Sequence, residues 1–295
     1  MGANNVITGM LLGAAAYVMF ALNDATNKYL VTFLPVAQAL FFRSLTITLG
    51  CLVIGRAQLI ATALASPVKR LMLIRAAITL AAWLAYFTAA PLLPFAQLMT
   101  LYFVSPIMTT LLAIRILGEK VTRVRWLSIF LGFTGVLIAA DPRGLAQGAT
   151  PAWAITLVMI ASVLWAYAAV MMRQIARREP SLVQMLVQNG FFLVASGAWT
   201  LFHWVPPTPW QFVLLIAIGV IGGAGQLLQF EAIRRAPVAV MGVVEYSGLI
   251  WAFLLGWLIF GDDPPTAVYV GAAVTLAAGV FLVVMEHRAG RRQPR

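Results

Sequence analysis

Residues 238–261 read VAVMGVVEYSGLIWAFLLGWLIFG and carry a single ionisable residue, Glu245. A helix of about 20 apolar residues spans the hydrocarbon core of a bilayer, so this stretch reads as a transmembrane helix with a carboxylate inside it. Working outward, runs of similar character lie at about 6–29, 35–54, 71–90, 94–117, 124–140, 152–172, 182–202, 210–230, 237–260 and 266–285. The connections between them are short and rich in Pro, Gly and charge, as in LASPVKR, RREP, HWVPPTP and GDDPPT. No connection is long enough to hold a soluble domain. The expectation is an all-α integral membrane protein of ten helices.

The composition agrees. The chain of 295 residues is 62% hydrophobic and 10% charged, with mean hydropathy +0.93. A soluble domain is about half apolar and a quarter charged. The net charge of +11 sits at the ends of the apolar runs, which is an orientation signal and not the footprint of a nucleic-acid binder. The lone cysteine, Cys51, excludes an intramolecular disulfide, and His203 and His287 lack metal-ligand spacing. No cofactor or metal site is expected. The first run has no basic leader and no cleavage signature, so it reads as a retained helix.

Lys and Arg set the orientation. With the N-terminus inside, 17 of the 20 basic residues fall on the inner side; Lys28 and Arg143 fall outside, and Arg43 lies within the second span. Both termini are therefore expected in the cytoplasm of a cell with this protein in its inner (plasma) membrane.

The chain also repeats itself. A slide of 143 residues brings Phe87 onto Phe230, Pro94 onto Pro237, Ala96 onto Ala239, Gly118 onto Gly261 and Glu119 onto Asp262. A slide of 145 brings Phe20 onto Trp165, Lys28 onto Arg173 and Pro35 onto Pro180. Five helices are an odd number, so the second copy must be inverted. The charges agree: the turn before Pro94 is uncharged PLLP, and its counterpart before Pro237 is basic IRRAP. The organisation expected is an N-terminal repeat at 1–145, an inverted C-terminal repeat at 146–288, and a basic cytoplasmic tail at 289–295. Inverted repeats of this kind are common in secondary transporters, which bind substrate near the midplane between the repeats.

The stretch AQLMTLYFVSPIMTTLLAIRILGEKVTRVRWLSIFLGFTGVLIAAD at 96–141 resembles the EamA-type half of the drug/metabolite transporter superfamily, through Pro106, the Gly118-Glu119 span end, Gly132 and Gly135. The resemblance extends over both halves. The second half departs from it, with Leu249 at the place of Pro106 and Asp262 at that of Glu119. The resemblance implies a secondary carrier, commonly an exporter of amino acids, metabolites or drugs, and among its branches this chain looks most like bacterial exporters of (aromatic) amino acids.

Ionisable groups at membrane depth are costly and are functional candidates. Glu245 lies ten residues past Arg235, and Arg43 eight past Pro35. At the helical rise these are depths of roughly 15 and 12 Å in a core about 30 Å thick. Three readings stay open: a structural Arg43–Glu245 pair, a wet cavity in which both face substrate, and proton coupling through Glu245. Repeat-equivalent positions pair Tyr102 with Glu245, Phe103 with Tyr246, Trp83 with Gln226, Tyr86 with Gln229, and Arg43 with Gln188. The expected substrate-binding residues are Arg43, Trp83, Tyr86, Tyr102, Trp165, Gln188, Gln226, Glu245 and Tyr246. Such a lining suits a small amphipathic solute, with its carboxylate on Arg43. Trp126, Trp153, Trp204, Trp210 and Tyr269 fit an interfacial belt instead.

Asn23, Asp24, Asn27 and Lys28 cluster at one end of the first span. They read either as a solvated end with an Asp24–Lys28 pair or, with Asn23, as an outer gate. Pro106, Gly242 and Gly248 are the expected hinges. The GxxxG pairs Gly9–Gly13 and Gly219–Gly223 allow close helix approach, within the molecule or between copies. No nucleophile elbow, P-loop or zinc-protease motif is present, so no enzyme is expected. The partners expected are a small-molecule substrate, lipid and, as an open question, protons. The function expected is export of amino acids or related metabolites by alternating access; the alternative is a multidrug, lipophilic-cation exporter proton-coupled through Glu245.

Overall fold

The computed structural model describes residues 3–117, 123–141, 151–176, 178–235 and 238–290, and among these there is no strand. The helices are α1 (Ala3–Leu30), α2 (Val36–Ala65), α3 (Lys69–Ala89), α4 (Phe95–Tyr102), α5 (Val104–Leu117), α6 (Arg123–Ala139), α7 (Ala152–Ala176), α8 (Ser181–Phe202), α9 (Pro209–Arg235), α10 (Val238–Leu255) and α11 (Thr266–Gly290). A 3-10 turn, Ala90–Leu92, follows α3, and a π turn, Gly256–Phe260, ends α10. Six segments, in α1, α2, α3, α7, α8 and α9, are long and apolar enough to cross a membrane. Shorter apolar helices at Phe95–Thr109, Trp126–Ala139, Ser247–Phe260 and Thr266–Phe281 stand where the other four runs lie. The outer flank is apolar: Val53 is 80% exposed and Phe202 84%. In water such a surface would drive aggregation, and in lipid it costs nothing.

The two halves interleave. The dominant packings are α1 with α9, α3 with α7, α2 with α8, and α6 with α11, each joining one half to the other. They obey the repeat: exchanging the halves turns α1·α9 into α7·α3 and leaves α2·α8 and α6·α11 unchanged. Glycines set how near these helices come, because a backbone without Cβ admits a neighbour's side chain or main chain. A Cβ on Gly219 would collide with Thr46 of α2, and one on Gly225 would lie 2.9 Å from Phe20 of α1. A Cβ on Gly135 of α6 would lie 2.7 Å from the Gly271 carbonyl of α11. The Gly219–Gly223 pair thus serves packing inside the molecule.

Two spans differ from their sequence reading. The run at 94–117 is broken into α4 and α5 at Phe103. Pro106 has no N–H for the carbonyl four residues back, that of Tyr102. The expected kink therefore falls at Phe103, whose N–H turns to the Thr100 carbonyl at 3.1 Å. The second run does not stop at Ile54. Helix α2 continues to Ala65 across a kink at Arg56, whose φ of 54° is left-handed. A non-glycine residue there is strained. The kink turns the chain at the depth where the span was expected to end, and Leu59 and Ala63 beyond it bury against Val68 and Met72.

Candidate functional site

The centre of the bundle is built on α1, α2, α3, α4, α7 and α9. Arg43 of α2 is 2% exposed. Its guanidinium carbon lies 4.4 Å from the centre of the Trp83 ring, a cation–π contact from α3. Its Nε and Nη1 have no hydrogen-bond acceptor. Beside it, a Cβ on Gly222 of α9 would stand 3.1 Å from Nε and 3.2 Å from Nη2. The Nε–Nη2 edge of the guanidinium therefore lies against α9 at a place where only glycine leaves it uncrowded.

Aromatic rings form the facing wall. Trp165 of α7 meets Trp83 at 6.0 Å, Tyr86 at 5.3 Å and Tyr102 at 5.2 Å, all edge to face. Trp83 stacks on Phe87 at 4.8 Å, and the Tyr86 hydroxyl donates to the Met99 sulfur at 3.0 Å. Trp83 and Tyr86 are buried, while Tyr102 and Trp165 keep partial exposure in the interior of the bundle. Of the aromatics expected to line the site, Trp83, Tyr86, Tyr102 and Trp165 thus form one group. The belt residues Trp126, Trp153, Trp204, Trp210 and Tyr269 are all exposed.

The polar cluster of α1 divides in two. Asn23 is buried and donates to the Ile218 carbonyl of α9 at 2.7 Å, while its Oδ1 accepts from Asn27 at 3.2 Å. Asp24 is half-buried. Asp24 and Arg43 do not touch as an ion pair. The solvated Asp24–Lys28 pair does not form. Lys28 is 5% exposed; it donates to the Leu93 carbonyl at 2.8 Å and meets Asp262 at 3.4 Å, under the Phe260 ring at 4.4 Å. The reason is geometric: Lys28 reaches the start of α4, where Asp262 also accepts from the Phe95 N–H at 2.6 Å. Gly261, with φ 62°, ends the π turn and delivers Asp262 to that place. This cluster ties one end of α1, α4 and α10 together.

Gln226 of α9 is near the same level as Gly222, and its buried Oε1 has no partner. Gln188 of α8 is buried beside Asn189, whose Oδ1 is likewise unpartnered. Gly248 of α10 faces Tyr17 and Met99 at ordinary contact distance. Gly242, Glu245 and Tyr246 lie on α10, but their side-chain surroundings fall outside the described residues, as do the Pro106 ring and Gly118-Glu119. Glu231 meets Arg235 at 2.9 Å with both side chains exposed. The meeting of Lys28 with Asp262, remote in sequence, was missed, because helical spacing on α1 offers Lys28 the nearer Asp24.

Two clefts of about 330 and 320 Å³ open on the flank, one lined by Leu249, Ile250, Phe253 and Tyr269, the other by Val104, Met108, Met159 and Ile160. Their walls are apolar and they sit away from Arg43. They suit acyl chains and not a polar solute.

The EamA-like transporter family matches residues 7–140 and again residues 152–285. The chain belongs to that family: it is a multi-pass membrane transporter of the drug/metabolite type and not an enzyme. It is similar to a pseudopaline exporter, CntI, of Pseudomonas aeruginosa, at 26% identity over 94% of each chain. It is similar to a riboflavin transporter of Rhizobium johnstonii at 27% identity, over 98% of this chain and 95% of that one. An S-adenosylmethionine uptake transporter of Rickettsia conorii is 23% identical, over 97% and 96%. A solved crystal structure superposes with a TM-score of 0.66 at 17% identity, over 98% and 99% of the two chains, which supports the fold.

Proposed function

We propose that this protein is a secondary carrier of the bacterial inner membrane that exports amino acids or related small metabolites by alternating access. Ten spans with both termini in the cytoplasm follow from the distribution of Lys and Arg. The carrying observation is Arg43, buried at the centre of the bundle with Nε and Nη1 lacking an acceptor. A buried guanidinium without an acceptor is costly, and a substrate carboxylate supplies one with matching bidentate geometry. Trp83, Tyr86, Tyr102 and Trp165 supply the apolar walls, and Gln188 and Gln226 polar points. The relatives named above carry small organic solutes, which fits a site of this kind.

Glu245 and Tyr246 complete the site from α10, with Asn23 as an outer gate and Pro106, Gly242 and Gly248 as hinges. Because the α1·α9 and α3·α7 interfaces are mates in the repeat, one can loosen as the other tightens, which is what alternating access requires. The lipophilic-cation reading is disfavoured by a buried arginine at the centre of the site, since a cationic solute would be repelled there. Names of relatives include both an exporter and an uptake carrier, so direction follows from coupling. The test is flux of labelled amino acids and related metabolites into proteoliposomes, with and without a pH gradient, for wild type and Glu245→Gln. Flux driven by the gradient, with the drive lost in the variant, supports proton coupling at Glu245. Absence of flux for any such solute under any ion gradient overturns the function.

A further inference from the structure

Lys28 and Asp262 lie at the end of the bundle that the distribution of Lys and Arg assigns to the outside, and both reach the same turn. Lys28 donates to the Leu93 carbonyl at 2.8 Å, and Asp262 accepts from the Phe95 N–H at 2.6 Å. The chain around Pro94 is thus gripped on both sides by one ion pair, whose own separation is 3.4 Å. The grip joins elements with different main partners. Lys28 is on α1, which packs on α9 and α10, while Leu93 and Phe95 continue from α3, which packs on α7. The α1·α9 and α3·α7 interfaces are the pair that the repeat exchanges. Helix α4 also lacks a cap of its own, because its N-cap position is Pro94 with no side-chain hydrogen bond. Asp262 supplies that acceptor from the other half of the chain.

Helix α4 carries this grip into the ring wall. Its Met99 accepts from Tyr86, its Tyr102 meets Trp165 at 5.2 Å, and it ends at the break at Phe103. A short helix broken at one end and clasped by side chains at the other can swing as a unit when the clasp opens. Opening costs little, because water replaces each lost partner of the Leu93 carbonyl and the Phe95 N–H once the outer end is wet. We infer that Lys28 and Asp262 are the outer latch of the transport cycle. The latch is closed in this structure, where Lys28 is 5% and Phe95 0% exposed, and it releases the Pro94 turn when the site faces outward. This rests on the transport reading above and adds to it the contact that must break.

The test uses Ala21→Cys in the full chain. Ala21 is 1% exposed and belongs to the buried cluster that holds Trp83, Tyr86 and Phe95. It lies two turns below Lys28 on the same helical face, roughly 10 Å deeper, so a reagent from outside reaches it only past the latch. Right-side-out vesicles are treated with a membrane-impermeant cationic thiosulfonate, and the label at each thiol is read by mass spectrometry. Cys51, 2% exposed in a separate cluster, reports general loosening. With Lys28 and Asp262 in place the introduced thiol is expected to react slowly. Asp262→Ala or Lys28→Met should raise its rate by about tenfold or more and leave Cys51 unchanged. Asp262→Asn, which keeps an acceptor for Phe95 without the charge, should give a smaller rise and serves where Asp262→Ala does not fold. Unchanged labelling in the folded variants makes the cluster a fixed staple and overturns the latch. Fast labelling with the pair intact overturns it too, as does an equal rise at Cys51, which is loss of fold. If the protein moves metabolites and labelling does not respond, the latch alone fails. If labelling responds as expected and no metabolite is moved, the carrier reading fails and the latch stands as a gate.

Discussion

Lys28 and Arg43 are both buried cations in a membrane-spanning bundle, and they are treated in opposite ways. Lys28 has a carbonyl at 2.8 Å, a carboxylate at 3.4 Å and a ring face at 4.4 Å. Arg43 has a ring face at 4.4 Å and two donor nitrogens with no acceptor. A charge whose partners are complete holds helices together. On the function proposed above, a buried charge whose partners are missing is held for the substrate. The difference is worth more than the presence of charge alone, which is all that hydropathy reports.

The largest effect that would break this comparison is at Arg43. Arg43→Gln is expected to lower transport by about 100-fold or more with the folded yield unchanged, since the lost interaction is a charge-assisted bond made with substrate. A variant that melts early and transports normally when folded would place Arg43 among structural residues. Lys28→Met should do the reverse. It is expected to cost about 3 kcal/mol of stability, because Asp262 is left without its cation, and Lys28→Met with Asp262→Leu should recover part of that. Thermal unfolding of the detergent-purified variants reads this, and an unchanged melting point would undo the account of the cluster. Gly222→Ala is expected to weaken substrate binding by about tenfold, as the new Cβ crowds the fork edge of Arg43 and Asn23. Wild-type affinity in a folded Gly222→Ala would mean that the edge facing α9 is not the one used. The smallest effect is expected at the exposed Trp126, where Trp126→Leu should change transport and melting by no more than about 0.5 kcal/mol equivalent. A large loss there would move Trp126 out of the interfacial belt.

The repeat was legible because it is written in chain order. Pro94 against Pro237 and Gly118 against Gly261 align without knowledge of any contact, and the reversal of charge between PLLP and IRRAP exposes the inversion. The grouping of Trp83, Tyr86, Tyr102 and Trp165 was also within reach, since depth alone separates them from Trp126 and Trp153. Asp24 was harder. Its spacing from Lys28 favours an i,i+4 pair on an isolated helix. In the bundle Lys28 finds better partners just before α4 and beyond α10.

Sequence by itself determined the apolar runs, the two-fold repeat and the membership in a class of carriers, because each rests on local hydropathy and on residue patterns in chain order. Tertiary structure decided which polar groups meet. That depends on how each helix is rotated about its axis and how near its neighbours come, and glycines such as Gly219 and Gly222 set that approach through atoms of other helices. A residue's periodicity says which face it is on. Only the docking of α1 against α9 and of α2 against α8 says what that face looks at.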